Sequence, residues 1–230
     1  MSSVTYFSLP ELQAHLQSTA TKYSKLVCIA DSNTILHCFP RLETDANCII
    51  IPAGEEHKNI SSCISIWEQL TQLNVDRNAL IISLGGGMIT DLGSFAVSCF
   101  KRGVPHINIP TSLLGMVDAS VGGKTGIDFM GFKNQIGVFD ASCDALICIE
   151  LLSTLPTREF NSGFAEVIKH YLIHNVKAFY EFANIKHVNT ISASTLQDII
   201  ERAVAIKSHF VTQDPFDKGV RKALNFGHTI

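Results

Sequence analysis

The stretch ALIISLGGGMITDLGSFAVSCF, residues 79–100, decides the fold. Its first six residues, Ala79 to Leu84, form an apolar run with no polar alternation, the pattern of a strand buried on both faces. Gly85, Gly86 and Gly87 follow at once, and Met88 to Phe100 has the length and composition of a helix. Glycines let the backbone turn sharply and approach a ligand closely, while the first N–H groups of a helix face outward toward an anion. Strand, glycine turn and helix in that order make a nucleotide site, with a ligand-free tight turn as the plainer alternative. The form is not G-x-G-x-x-G, because Thr90 stands where the third glycine would be.

Working outward, the same alternation repeats. KLVCIA (Lys25 to Ala30), CIIIPA (Cys48 to Ala53), HINIP (His106 to Pro110) and ALICI (Ala145 to Ile149) read as further buried strands, and SSCISIWEQLTQL (Ser61 to Leu73) as a helix. Strands alternating with helices predict an open, doubly wound parallel sheet. After Leu155 the strand signals stop. Pro156 to His174, Val176 to Ala183 and Thr195 to Val211 read as helices, with Pro156 at a first helical position and Ser194 with Gln197 as a capping box. The expectation is an α/β domain over residues 1–155 followed by an all-helical domain over residues 156–230.

The 230 residues are 46% hydrophobic and 17% charged, against roughly 25% charged in ordinary globular chains, so a large core is affordable. Eighteen Lys+Arg against 21 Asp+Glu leave a net charge of -3, with no broad positive field for nucleic acid or an anionic membrane. No apolar run approaches the ~20 residues of a membrane span, and the N-terminus lacks the basic and apolar regions of a signal peptide; a cytoplasmic location is expected. Seven cysteines without a C-x-x-C pair indicate neither a disulfide framework nor a cysteine zinc site.

Several side chains are candidates for chemistry. Gly122-Gly123-Lys124-Thr125 resembles the end of a P-loop, but Asp118 occupies the place of its first glycine and would repel a triphosphate. Lys124, Lys133 and Asn134 remain cationic and polar points in a glycine-rich stretch, suited to phosphate or carboxylate or simply solvated on a loop. Glu166 and Lys169 are three apart on a helix, the spacing of a surface ion pair. His170 and His174 are spaced i,i+4 without the glutamate of H-E-x-x-H and read as polar helix positions. Lys207 lies close to the apolar stripe of Leu196, Ile200, Ala203 and Val204, so it either snorkels outward or serves an anion in a pocket. Arg221, Asn225 and His228 crowd the last residues, as a polar cluster or a frayed tail.

Taken together, PAGEEHK (Pro52 to Lys58), LGGGMITDL (Leu84 to Leu92), Arg102-Gly103-Val104, PTSLLGMVDASVGGKTGI (Pro110 to Ile127), KNQIG (Lys133 to Gly137), LPTREFNSGFAEVIK (Leu155 to Lys169) and LNFGHT (Leu224 to Thr229) resemble the 3-dehydroquinate synthase family of sugar phosphate cyclases. The resemblance implies an N-terminal Rossmann-like domain that binds NAD, a helical C-terminal domain that binds Zn2+ or another divalent metal such as Co2+, a cleft between them, and a homodimer. It implies NAD contacts at Asp31, Asn33, Glu55, Lys58, Gly86, Gly87, Asp91, Thr111 and Ser112, with Lys124, Lys133 and Thr154 at its edge. It makes Glu166 and His228 two of three metal ligands, and Asp118, Lys124, Lys133, Asn134, Lys169, Lys207, Arg221 and Asn225 the groups around a substrate. That substrate would be 3-deoxy-D-arabino-heptulosonate 7-phosphate, cyclised with loss of phosphate.

Met116 stands where many members of the family have glutamine, and Phe132 where glycine is usual. The sequence ends at Gly227-His228-Thr229-Ile230, inside a G-H-T-x-G-H motif, so a truncated helical domain without its third metal ligand is expected. The rivals are another cyclase making an inosose or valiolone ring, an NAD-binding module without catalysis, and an iron-dependent alcohol dehydrogenase.

Overall fold

The computed structural model describes residues 3–174, 176–183 and 191–227. Strands β1 (Val4–Tyr6), β2 (Leu26–Asp31), β3 (Asn47–Ile51), β4 (Leu80–Gly85), β5 (His106–Pro110) and β8 (Asp144–Ile147) form one sheet in the order β1-β8-β5-β4-β2-β3. Every neighbouring pair in it is parallel. Strands β6 (Lys124–Phe129) and β7 (Phe132–Phe139) form a separate antiparallel hairpin. The helices are α1 (Leu9–Ala20), α2 (Thr34–His37), α3 (Ile60–Gln72), α4 (Gly87–Cys99), α5 (Thr157–His174), α6 (Val176–Ala183) and α7 (Ala193–Gln213).

The expected doubly wound sheet is present, its five predicted strands displaced by no more than two residues at either end. Every residue of β4 is buried. Ile81 joins Val27, Ile29 and Ile49 against α3 and α4, while Ile82 and Leu84 join Cys28 and Ala30 against Leu12 and Leu16 of α1. A run buried on both faces can dispense with alternation, which is why it was legible as a central strand. β1 was not expected; three residues are too few to carry a pattern.

The hairpin corrects a second expectation. Lys124, Lys133 and Asn134 sit on paired strands rather than in a loop. Gly126 and Gly137 oppose each other across the ladder, and β7 has no buried residue, so its composition resembles that of a loop. Helix caps also differ. The N-terminus of α7 is capped by Ser192, whose side chain accepts from the Thr195 N–H, not by Ser194. Pro156 lies one residue ahead of α5, where its carbonyl accepts from the Phe160 N–H. Among the described residues no helix is long and apolar enough to cross a membrane.

A third apolar cluster joins α5 and α7 to a π-helical turn at Gly115–Ala119 that follows β5. Gly163 of α5 makes this docking possible: a Cβ there would stand 2.5 Å from the Leu114 nitrogen and 2.7 Å from the Leu113 Cβ. Because the obstacle is backbone, the helix itself would have to retreat. Gly163→Ala is expected to lower stability by about 1–3 kcal/mol, read from the urea midpoint, whereas an unchanged midpoint would show that this seam is loose.

Candidate functional site

From β2 the chain moves outward to β3, then returns to β4 on the other side of β2 and proceeds to β5. Open parallel sheets take ligands at such a switch point, outside the carboxyl ends of the strands. β2 ends there at Asp31, whose carboxylate accepts from the N–H groups of Asn33 (2.8 Å) and Thr34 (2.9 Å). The Thr34 hydroxyl donates to the Leu84 carbonyl at 3.0 Å, stitching this turn to β4. Gly86 stands at the N-cap of α4, so the free N–H groups of that helix open onto the same place.

A cavity of about 720 Å³ lies over these strand ends. Asp31, Asn33, Glu55, Lys58, Gly86, Gly87, Asp91, Thr111, Ser112 and Thr154 all line it, which brings together every expected nucleotide contact except Lys124 and Lys133. A second cavity, of about 460 Å³, is lined by Asp118, Lys124, Asn134, Lys207, Arg221 and Asn225. Asp91 and Asp118 line both. Lys133 reaches neither: it is exposed on β7, with Nζ 2.6 Å from Glu55 and 3.2 Å from Asp128.

At the junction each charge has a partner. Buried Lys58 donates to Asp91 at 2.5 Å and to the side-chain Oδ1 of Asn134 at 2.7 Å. Burial pushes the Asp91 carboxyl up to about 6, against the pull of Lys58. Lys207 does not snorkel. It is buried, and its Nζ donates at 2.5 Å both to the Asp118 carboxylate and to the Asp118 main-chain oxygen. Burial pulls its pKa down while Asp118 opposes the shift. Burial would raise Asp118, but Lys207, with Lys169 and His170 beside it, holds that carboxyl well below the usual range. Arg221 is no frayed tail: it is buried, donating to the carbonyls of Pro215 at 2.8 Å and Gly122 at 3.1 Å. Lys124 pairs with Asp217, a residue the sequence did not single out.

Helix α5 overturns two expectations. Glu166 and Lys169 are ion-paired, but not at the surface, because α7 and the π-turn cover that face and Lys169 is buried. His170 is fully buried rather than an ordinary polar position, whereas His174 is exposed. Burial pushes His170 down to about 4, and its Nε2 lies 3.9 Å from the Asp118 carboxylate. The missed signal was the spacing of Glu166 to His170, one helical turn, which sets both toward Asp118.

Asp118, Glu166 and His170 each offer a ligand atom, and these atoms lie within 4.8 Å of one another. Neither ring nitrogen of His170 has a hydrogen-bond partner among the described residues. Two carboxylate oxygens and an imidazole nitrogen are donors that suit a divalent cation such as zinc, so this corner fits a metal. His228, the other ligand implied by sequence, lies outside the described residues.

An open parallel sheet with a glycine turn at its switch point, abutting a lysine- and carboxylate-lined cleft beneath helices, defines an α/β protein with two adjoining polar cavities. The 3-dehydroquinate synthase N-terminal family model matches residues 48–162, and the corresponding C-terminal model matches residues 163–230. A 3-dehydroquinate synthase of Parabacteroides distasonis is 44% identical over 225 residues, covering 96% of this chain and 63% of its own length. This chain belongs to the 3-dehydroquinate synthase family and spans under two thirds of that relative. Among solved structures, 2-epi-5-epi-valiolone synthase from Streptomyces hygroscopicus subsp. jinggangensis 5008, with NAD+ and Zn2+ bound, superposes with a TM-score of 0.82 at 24% identity, covering 99% of this chain and 66% of that one. A 2-deoxy-scyllo-inosose synthase complexed with carbaglucose-6-phosphate, NAD+ and Co2+ gives 0.81 at 21% identity, covering 98% and 64%. At these identities the likeness is one of fold.

Proposed function

We propose that this chain supplies the NAD site and much of the substrate site of an NAD- and metal-dependent 3-dehydroquinate synthase, cyclising 3-deoxy-D-arabino-heptulosonate 7-phosphate with release of phosphate. The observation that carries the proposal is the shared wall of the two cavities, where Asp91 and Asp118 face both. A cofactor over the glycine turn and a substrate among the lysines would meet there. The sheet domain, residues 1–155, and the helical domain, residues 156–230, form the two sides of that cleft, and a homodimer is the assembly the family resemblance implies.

When bound, NAD would supply removal and return of a hydride, and a divalent metal held by Glu166, Asp118 and His170 would supply a Lewis acid at the hydroxyl being oxidised, with His228 a further ligand only by family resemblance. The chain's own side chains bind and orient. Lys207, Lys124 and Arg221 bring three cations to one cavity, which suits a substrate carrying both phosphate and carboxylate and stabilises charge on the departing phosphate. Asp118, kept ionised by Lys207, holds that ammonium in place and offers an acceptor for a substrate hydroxyl. Lys58, bridging Asp91 and Asn134, fixes the wall between the two ligands.

The test is phosphate release by the full-length protein with the heptulosonate phosphate, NAD and Zn2+, with other sugar phosphates in competition. Absence of turnover from folded protein overturns the proposal, and preference for another sugar phosphate moves the protein to another cyclase. The cofactor half has its own test. A Cβ on Gly86 meets only the Ser112 side chain, at 3.2 Å, so Gly86→Val should fold and block close approach at the helix N-terminus. A large loss of NAD affinity in equilibrium dialysis is expected; unchanged affinity would place the cofactor elsewhere.

A further inference from the structure

Cys28 and Cys48 are in direct register on neighbouring parallel strands, β2 and β3. In-register partners point to the same face of a sheet, and both thiols lie on the α1 side. Adjacent strands run about 4.8 Å apart, within the roughly 4.4–6.8 Å between Cα atoms that a disulfide spans. β3 is an edge strand, so no further strand resists the small shift a cross-link needs. Burial differs between the partners. Cys28 is fully buried, whereas Cys48 is partly open to solvent. From these observations we infer that Cys28 and Cys48 are an oxidant-responsive dithiol that closes to a disulfide.

The thiol chemistry assigns the roles. Cys48 is the partly exposed thiol, its Sγ donating to the Ala46 carbonyl at 3.6 Å, while the neighbouring Cys48 thiol and burial push the shielded Cys28 well up. Burial pushes the thiols of Cys63, Cys143 and Cys148 up to about 12. An accessible cysteine beside a shielded partner is the arrangement of a reactive thiol with its resolving thiol. With a peroxide as oxidant, the Cys48 thiol gives up its proton and attacks one peroxide oxygen, the O–O bond breaks, and the departing hydroxide takes up that proton and leaves as water, with Cys48 now a sulfenic acid. The Cys28 sulfur then attacks the Cys48 sulfur, the S–O bond breaks, and the Cys28 proton departs with the hydroxyl as a second water. Two thiols and one peroxide give one disulfide and two waters.

β2 ends at Asp31, and β3 leads into Ala53, Gly54 and Glu55, all on the rim of the larger cavity. A cross-link near the start of both strands draws β3 inward and shifts that rim, so the disulfide is expected to weaken NAD binding, an effect that rests on the cofactor reading above. The experiment treats the protein with hydrogen peroxide, blocks remaining thiols with iodoacetamide, and maps peptides by mass spectrometry without reduction. A Cys28–Cys48 linked peptide, two hydrogens lighter than its parts and reversed by dithiothreitol, is the expected result; Cys48→Ser should abolish it and leave Cys28 free to alkylate after unfolding. Cys48 driven to sulfinic acid with Cys28 still free, or linked peptides joining other cysteines instead, overturns the inference. NAD affinity is measured first on reduced protein: no binding there refutes the cofactor reading alone. Binding that is equal before and after cross-linking refutes the coupling and leaves the dithiol standing.

Discussion

Lys207→Met in the full-length enzyme is expected to cut kcat/KM by about 10²–10³-fold, the loss seen when one preorganised electrostatic donor is removed from an active site. Methionine has a similar length and no charge, so the apolar stripe of α7 keeps its packing. The effect on stability runs through Asp118. With Lys207 gone, that carboxylate loses the cation 2.5 Å away, and removing one partner of a buried pair is costly. Asp118→Asn with Lys207→Met should regain the lost stability and none of the turnover. A single variant with unchanged kcat/KM would show that the lysine is only structural; a double variant no more stable than the single one would show that Asp118 is satisfied without it.

The second large effect concerns acid stability in the presence of a chelator. Burial holds His170 neutral down to about 4, whereas an unfolded histidine titrates near 6.5. Between those values the unfolded chain binds the extra proton, so stability falls as pH drops through that window, by about 3 kcal/mol in total. Asp91 acts in the opposite sense. Its folded pKa is raised to about 6, so it stabilises the fold at acid pH and loses that contribution as pH rises through 6. The net profile mixes the two, and the difference between wild type and His170→Leu isolates the histidine. Urea midpoints at pH 7 and about pH 4.5 should converge for the variant relative to wild type. Parallel profiles would mean that His170 carries its proton inside the fold.

How much of this was readable in advance depends on the kind of signal. Residues 79–100 announced a buried strand and a glycine turn because burial on both faces and the absence of side chains are written directly in composition. Of the larger cavity, local pattern gave the glycine turn at Gly86, while Asp31 and Thr111 came from the family resemblance. The second cavity did not follow from local pattern. Pattern alone makes Lys207 a lysine on an apolar stripe; the family resemblance is what groups it with Asp118, 89 positions away in sequence. His170 was passed over because helical spacing pairs it equally well with His174 or Glu166, and only the covering of α5 by α7 and the π-turn decides between them. A strand without buried residues has no periodicity to show, so β7 carries the sequence pattern of a loop.

That last feature bears on how such a protein changes over time. β7 and the tip of its hairpin are exposed, with Met130 at 81% and Phe132 at 65%, so substitutions there cost the core little. Yet this same hairpin presents Lys124 and Asn134 to the cavity and is moored by the Asp128 N–H to the Lys58 carbonyl at 2.8 Å. On the proposed function, selectivity would rest on a part that mutation can sample freely, and cofactor binding on strands that it cannot. A lineage built on this plan can drift toward a new anionic substrate without first surrendering its foldedness.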